Sequence, residues 1–106
     1  MLTLDEYQKQ AGTTDISGGE LWYYGLGLAG ETGEAVEEIK KYYRRIAKGE
    51  PPDLDGLRTR LRGELGDIAW YLARAASWAG LSLDDIVAAN LVKLAERKAN
   101  GTLSIH

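Results

Sequence analysis

The chain has 106 residues, of which 44% are apolar, and it carries a formal net charge of −3. This length suffices for one hydrophobic core and is short for two ordinary domains. The mildly negative charge argues against a nucleic acid polymer as the main partner. The absence of cysteine excludes disulfides and thiolate metal sites.

The sequence lacks the patterns of membrane and secreted proteins. No apolar run approaches the roughly 20 residues that span a bilayer. The N-terminal segment MLTLDEYQKQ lacks the charged-then-apolar layout of a signal peptide. We therefore expect one cytoplasmic domain over residues 1–106, without a membrane partner.

Helices with short connections are predicted along the chain. Thr3 and Glu6 form a T-x-x-E capping box that starts a short helix over about residues 4–11. The turn-rich stretch GTTDISGG follows at 12–19. A long helix is then predicted for 20–48. Its four glycines each cost about 1 kcal/mol relative to alanine, so they either permit close packing or mark a kink. They are Gly25, Gly27, Gly30 and Gly33.

The second half of the chain predicts two more helices. Pro51 and Pro52 end the long helix, and Asp53 caps a helix that carries apolar residues at three-to-four-residue spacing as far as Gly80. Ser82 then opens an S-x-x-D motif that caps a last helix, which ends at about residue 99.

The predicted fold is all-α: an antiparallel bundle of about four helices, with its core at about 20–99 and a short flexible tail at 100–106. His106, the only histidine, is expected to be solvated. The long helix carries aromatic side chains that one subunit can hardly cover, and a soluble monomer rarely exposes such a surface. We therefore expect a homodimer or a dimer of dimers that forms a larger bundle. The aromatic residues are Trp22, Tyr23, Tyr42 and Tyr43.

Two pairs of carboxylates are the most informative feature of the sequence. Glu31 and Glu34 lie in GETGE, and Glu64 and Asp67 lie in GELGD. Because each pair is spaced i, i+3, both of its members project from one helix face. The four positions centre on residue 49, within the break between the two helices, so an antiparallel hairpin brings them to the same level. Facing carboxylates repel one another unless a cation lies between them, and oxygen-only ligation suits Mg²⁺.

The last helix is predicted to run back beside the one before it, because the connection after residue 80 is short. Reflection through position 81 brings residues 95–98 to the level of the second carboxylate pair. Asn90, Lys93 and Arg97 share one helix face near that level. A cationic, amide-bearing face beside a carboxylate site predicts a phosphate clamp.

Three segments resemble the MazG-type nucleotide pyrophosphohydrolases: GLAGETGEAVEEIKK, GELGDIAWYLA and LDDIVAANLVKLAERK. That family shows an E-x-x-E and E-x-x-D carboxylate set on two helices, followed by an N-x-x-K-x-x-x-R helix. The resemblance covers about residues 20–99. It implies an all-α fold, obligate oligomers and dependence on Mg²⁺, with Mn²⁺ as a substitute. The implied reaction converts (deoxy)nucleoside triphosphates to monophosphate and pyrophosphate, a house-cleaning role in the nucleotide pool.

The resemblance also assigns roles to residues, position by position. The matches to the metal-binding set are Glu31, Glu34, Glu64 and Asp67. The matches to the positions associated with nucleotide binding are Asn90, Lys93 and Arg97. The segment between the two carboxylate motifs is at the long end for the family, and nothing is carried over to the tail.

The general base and the base-stacking residue remain open at this point. A carboxylate near the metal can orient or deprotonate the attacking water, and the candidates are Glu34, Glu64 and Glu38. A solvated charge on a helix surface is the simpler interpretation of Glu38. Four aromatic residues could stack on the nucleobase: Trp22, Tyr23, Trp70 and Tyr71. Trp70 is the preferred candidate and Trp22 the next, although an aromatic residue near a helical core more often belongs to the core.

Other functions can be weighed against this one. The run KKYYRR at 40–45 combines cations and aromatics, as single-strand binders do, but a solvated helix face with a Glu37–Lys41 pair at i, i+4 explains it better. A ferritin-like di-iron site is disfavoured because the predicted helices contain no histidine. Two alternatives stay open: a phosphoribosyl-ATP pyrophosphohydrolase, and a non-enzymatic helical interaction module that would need no cation.

Overall fold

The computed structural model describes residues 1–104, and these form four helices and no strand. The helices are α1 (Leu4–Gly12), α2 (Leu21–Ala47), α3 (Leu54–Trp78) and α4 (Leu83–Ala99). The prediction of an all-α chain is confirmed. None of these helices is long and apolar enough to cross a membrane. Residue 105 and His106 lie outside the described residues, and so does the expectation that His106 is solvated.

Side-chain caps begin three of the helices at the predicted residues. In each case a side-chain oxygen accepts a hydrogen bond from the backbone N–H three residues further on, which the helix itself leaves free. Such a cap typically contributes about 1 kcal/mol. The caps are Thr3 on Glu6 (3.1 Å), Asp53 on Gly56 (3.1 Å) and Ser82 on Asp85 (3.2 Å).

The pair α2–α3 forms the body of the molecule and has the most extensive contact between helices. Arg60 Nε donates to Glu38 Oε2 at 2.6 Å near the connection between the two helices. Far from that connection, Tyr71 packs against Gly27 and its hydroxyl lies 3.5 Å from that of Tyr23. The two helices are therefore antiparallel, as the carboxylate argument requires.

Gly27 is a point of close packing between α2 and α3. A methyl group at this position would overlap the ring of Tyr71, whereas one at Gly25, Gly30 or Gly33 would meet no atom within 4 Å. Of the two explanations offered by the sequence for these glycines, close packing therefore applies at Gly27.

A second core lies where α1 crosses the corner between α3 and α4. It consists of small and apolar side chains, among them Ala11, Ala73, Ala76 and Leu83. Gln8 fixes the crossing, because its Nε2 donates to Ser77 Oγ and to Leu81 O, each at 2.9 Å, and its Oε1 accepts from Leu83 N at 2.8 Å.

The expectation that α4 runs back along α3 is wrong for the described chain. The main helix contact of α4 is with α1, and only its first turns, with Leu83 and Ile86, enter the core. The physical reason is that α1 packs on both α3 and α4 and occupies the place beside α3 that α4 was expected to take.

The single chain is extended and leaves much apolar surface uncovered. Its radius of gyration is 17.0 Å, whereas a compact domain of this length has about 13 Å. Large apolar side chains are exposed on α2 and α4, including Trp22 (65%), Leu26 (68%) and Leu91 (67%). Surfaces of this kind are typical of chains that associate.

The basic segment at 40–45 forms ion pairs along the helix surface. Lys40 pairs with Glu37 at 4.0 Å and Lys41 with Glu38 at 3.6 Å, both at i, i+3. The predicted Glu37–Lys41 pair at i, i+4 is therefore wrong, because each lysine instead reaches back one turn to the glutamate three residues before it. An exposed pair such as Lys40–Glu37 contributes at most about 1 kcal/mol.

Substitution of Gly27 by alanine is expected to destabilise the protein. Alanine is ordinarily preferred in a helix by about 1 kcal/mol, but here its methyl overlaps the Tyr71 ring, and overpacking costs roughly 1–3 kcal/mol. Thermal unfolding followed by circular dichroism measures the effect. Gly25→Ala is the matched control and should raise the unfolding temperature. Equal stabilisation by both substitutions would contradict the close approach.

Candidate metal and nucleotide site

Three glutamates meet between α2 and α3. Glu31 and Glu34 on α2 and Glu64 on α3 each offer a carboxylate oxygen, and these oxygens lie within 4.8 Å of one another. Asp67 does not belong to this group, but it lines a pocket next to it together with Glu31. The structure thus brings three of the four predicted metal ligands together and leaves the fourth at the adjoining wall.

Two oxygens of the cluster are buried without a hydrogen-bond partner among the described residues: Oε2 of Glu31 and Oε2 of Glu64. A buried acceptor without a partner costs free energy, and each such group calls for an explanation. Glu34, by contrast, is exposed. A cation between the carboxylates would satisfy both buried oxygens.

The cluster also disfavours its own ionisation. Burial, followed by the contact with Glu64 and the charge of Glu34, raises the pKa of Glu31 to about 7. Burial and the neighbouring Glu34 likewise raise the pKa of Glu64. Desolvation and like charges both oppose the carboxylate form, and a bound cation would reverse these effects.

The chemistry of the donors fits a hard divalent ion. All the groups are carboxylates, and oxygen donors suit Mg²⁺ or Mn²⁺ better than the softer metals that take imidazole or thiolate. The two buried oxygens without a hydrogen-bond partner belong to these carboxylates. The residues present therefore fit the ion that the sequence predicts.

An open pocket of about 300 Å³ adjoins the cluster. Glu31 and Asp67 form its acidic side, Trp70 and Tyr71 form its aromatic side, and Thr14 contributes from the loop before α2. The volume lies at the lower end of the range for small-molecule sites.

The two aromatic rings of the pocket are held by hydrogen bonds. The indole Nε1 of Trp70 donates to Thr14 Oγ1 at 2.9 Å. The rings of Trp70 and Tyr71 meet edge to face, with centroids 5.0 Å apart. The hydrogen bond with Tyr23, together with burial, raises the pKa of Tyr71 to about 12. Both effects favour the neutral form of the Tyr71 hydroxyl.

The predicted substrate-binding residues are distributed over three places. Trp70 lines the pocket, but Trp22 is exposed, contacts Tyr23 edge to face and is absent from the pocket wall. Asn90 and Lys93 line a separate depression on α4 of about 460 Å³.

The predicted position of the phosphate clamp is therefore wrong for one chain. Asn90, Lys93 and Arg97 lie on α4, and α4 leaves the body of the molecule because α1 occupies the flank of α3. Their assignment to nucleotide binding stays a prediction.

Glu38 faces cations rather than the other carboxylates. Its Oε2 accepts from Arg60 at 2.6 Å and its Oε1 lies 3.6 Å from Lys41 Nζ, while its side chain is only 16% exposed. The interpretation of Glu38 as a solvated charge is therefore incomplete, since an inter-helix ion pair holds it. Its role as a base stays a prediction.

Sequence reasoning missed one residue of the pocket, Thr14. Tyr71, which stands four positions after Asp67 on α3, was among the aromatic residues considered for stacking, but Trp70 was preferred to it. Thr14 lies in an irregular loop, where no periodicity relates it to the carboxylates. Only the tertiary fold brings it to the pocket.

The fold and the site define a class: all-α proteins in which carboxylate pairs on two antiparallel helices form a cluster suited to a divalent cation. Within that class, the MazG nucleotide pyrophosphohydrolase domain matches residues 23–102. Because this match covers most of the chain, the chain belongs to the MazG nucleotide pyrophosphohydrolase family.

A second comparison finds a relative over nearly the full length of the chain. The chain is 34% identical over 113 aligned residues to the Gene 37 protein of Mycobacterium phage L5, which covers 94% of this chain and 92% of that protein. The name of that relative states no activity. No solved structure matches the chain significantly.

Without divalent cations, stability is expected to fall as the pH rises through about 7. The folded state holds a proton on Glu31, whose pKa is about 7 against an ordinary 4.5. The unfolded state releases that proton at a lower pH. The stabilising contribution of protonated Glu31 is therefore complete below the ordinary pKa of 4.5, and it is lost as the pH rises through the folded-state pKa of about 7. The loss of stability is measured by thermal unfolding in EDTA between about pH 5 and 8. Adding Mg²⁺ should raise the midpoint temperature of unfolding more at pH 8 than at pH 5.

Two variants control this measurement. Glu31→Gln should flatten the fall, whereas the exposed Glu37→Gln should leave it unchanged. A midpoint in EDTA that rises over this range, or one that ignores Mg²⁺ at pH 8, would argue against a cation-binding cluster.

Proposed function

We propose that the chain is a Mg²⁺-dependent pyrophosphohydrolase that converts (deoxy)nucleoside triphosphates to monophosphates and pyrophosphate. One observation carries the proposal. Three glutamate oxygens lie within 4.8 Å of one another, and two oxygens of the cluster are buried without a partner, in a member of the MazG family. An interaction module would gain nothing from burying repelling carboxylates.

The four carboxylates of the two motifs would hold Mg²⁺, with Mn²⁺ as a substitute: Glu31, Glu34, Glu64 and Asp67. When bound, the ion would weaken the repulsion between the triphosphate and the attacking water and stabilise the charge that develops on the phosphate oxygens.

Glu34 is the carboxylate to which we assign the orientation and deprotonation of the attacking water. A general base must lie within hydrogen-bond reach of that water. Glu34 is exposed at the edge of the cluster, whereas Glu31 and Glu64 each bury an oxygen inside it. Glu38 would first have to leave its two cationic partners.

The pocket beside the cluster would receive the nucleoside. Trp70 and Tyr71 give it an aromatic side, on which a base can stack. Trp22 lies outside this pocket in one chain, so a contact with the base would require a second copy.

A homo-oligomer would supply what a single chain lacks. One chain leaves apolar side chains of α2 and α4 exposed and holds its α4 residues apart from its carboxylates. In a closed symmetric dimer, α4 of one copy would lie beside α3 of the other. Asn90, Lys93 and Arg97 would then reach the phosphates bound at the partner copy.

A role in cleaning the nucleotide pool agrees with this activity. Cleavage between the α- and β-phosphates removes a triphosphate from use by polymerases in one step. Such a role belongs to the cytoplasm, where the triphosphates are.

The first test is a panel of canonical, deoxy, modified and phosphoribosyl-linked triphosphates with Mg²⁺, with monophosphate and pyrophosphate both quantified. We expect both products in equal amounts. Glu64→Ala should abolish turnover and leave the helical content unchanged, and Glu37→Ala is the matched control on an exposed surface. Release of orthophosphate and a diphosphate would contradict the proposal. Turnover of phosphoribosyl-ATP alone would favour the alternative of a phosphoribosyl-ATP pyrophosphohydrolase.

A second test asks whether two copies share a site. Glu64→Ala and the double variant Lys93→Ala with Arg97→Ala are each expected to be inactive. Co-refolded at equal concentration, they should recover about a quarter of the wild-type activity, because half the dimers are mixed and each mixed dimer holds one intact site. A mixture that stays inactive although subunits exchange would place both residue sets within one chain.

A further inference from the structure

The loop between α1 and α2, residues 13–20, lies outside the matched family domain yet reaches the pocket. The match begins at residue 23. Thr14 is the one residue of the described pocket lining that belongs to neither α2 nor α3. This loop therefore reaches the pocket from outside the part of the chain that the family domain matches.

A buried ion pair holds the loop against α3. The side chain of Asp15 is 4% exposed and accepts from Arg74 Nε at 2.7 Å. It also accepts from the hydroxyl of Tyr24 and from both the backbone N–H (2.8 Å) and the hydroxyl (2.6 Å) of Ser17. These hydrogen bonds, with Ser17 first, hold the pKa of Asp15 well below its usual range.

The other end of this network is equally constrained. Arg74 Nη2 donates to the Tyr24 hydroxyl at 3.3 Å, and its guanidinium lies 5.4 Å from the centroid of the Tyr24 ring. Tyr24 is almost completely buried. The loop is thus attached to α3 one turn beyond Trp70.

Thr14 engages its hydroxyl within the protein both as a donor and as an acceptor. The O–H donates to Ala11 O at 2.9 Å, and the oxygen accepts from the indole Nε1 of Trp70, also at 2.9 Å. No hydroxyl hydrogen remains for a ligand. Thr14 therefore acts on the pocket through the orientation of the Trp70 ring.

We propose that Thr14, held in place by the Asp15–Arg74 pair, is a positioning residue that fixes the Trp70 ring against the nucleoside end of the substrate. This inference rests on the proposed function. Without the hydrogen bond, the indole could turn about its side-chain bonds, and nucleotide binding would have to order it. The entropic cost of ordering the Trp70 ring would weaken nucleotide binding, whereas the rate of the chemical step at the carboxylates would stay unchanged.

A role confined to structure would have a different signature. Trp70 also packs on the core formed by α1 and the α3–α4 corner. If the Thr14 bond served only to dock α1, its loss would lower stability and leave KM and kcat together near their wild-type values.

The test replaces Thr14 by valine, which keeps the shape and removes the acceptor. Thr14→Ser restores the acceptor. Thr13→Val is the matched control, because the Thr13 hydroxyl donates to Gln10 O and Thr13 does not line the pocket. We expect Thr14→Val to raise KM about tenfold with kcat within about twofold of wild type, and both other variants to behave as wild type.

An independent readout does not require turnover. The chain has three tryptophans, so its ¹⁵N spectrum should show three indole N–H resonances, and Trp70→Phe assigns the relevant one. Thr14→Val should shift that resonance in the free protein. Titration with Mg²⁺ and the α,β-imido analogues of the four deoxynucleoside triphosphates should move it in the wild type, and at higher analogue concentration in Thr14→Val.

The outcomes separate the two proposals. If no triphosphate is cleaved but the analogues bind and Thr14→Val weakens that binding, the proposed activity fails and the positioning role stands. If triphosphates are cleaved and Thr14→Val leaves KM and analogue affinity unchanged, the positioning role is overturned. A Trp70 resonance that ignores every analogue also overturns it.

Discussion

The mutual repulsion of carboxylates between α2 and α3 is the constraint on which the rest of this molecule depends. Two helices that bury acidic oxygens against each other would separate unless other contacts held them together. The antiparallel pairing, the Arg60–Glu38 bridge and the close approach of Tyr71 to Gly27 are those contacts. They hold the cluster in a state whose electrostatic cost a cation would remove. The fold thus maintains a site whose electrostatic cost either protonation of Glu31 or a bound cation would lower.

Local sequence signals explain why the helices could be predicted. Thr3, Asp53 and Ser82 are capping residues whose partners lie three positions away, so no tertiary information is needed to find them. The carboxylate pairs were found for a similar reason. The i, i+3 spacing places both members of a pair on one face of a helix, and the single connection between α2 and α3 sets the two pairs at the same height along the hairpin. Where the signal spans at most one helix hairpin, sequence reasoning was sufficient.

The failures begin where a third element intervenes. The position of α4 depends on α1, whose Gln8 occupies the corner after α3, and nothing in the pattern of α4 reports this. The loop wall at Thr14 depends on the Asp15–Arg74 pair, whose members lie 59 positions apart. The placement of Asn90 and Lys93 fails for the same reason as α4 itself. In each case the decisive contact joins segments that are distant in the chain and share no periodicity.

The hydrogen bond from Trp70 to Thr14 has a consequence for molecular discrimination. An indole whose only donor is already engaged offers a base its flat surface and no polar edge. Every base has such a surface, so if a base stacks on Trp70 as proposed, this ring alone would not distinguish a correct base from one that is oxidised, deaminated or alkylated at its rim. Sites that reject analogues strongly do so by leaving their own buried polar groups unpaired. The indole of Trp70 has no such group to leave unpaired, so in the proposed function any selectivity for the base would come from other groups that line the pocket.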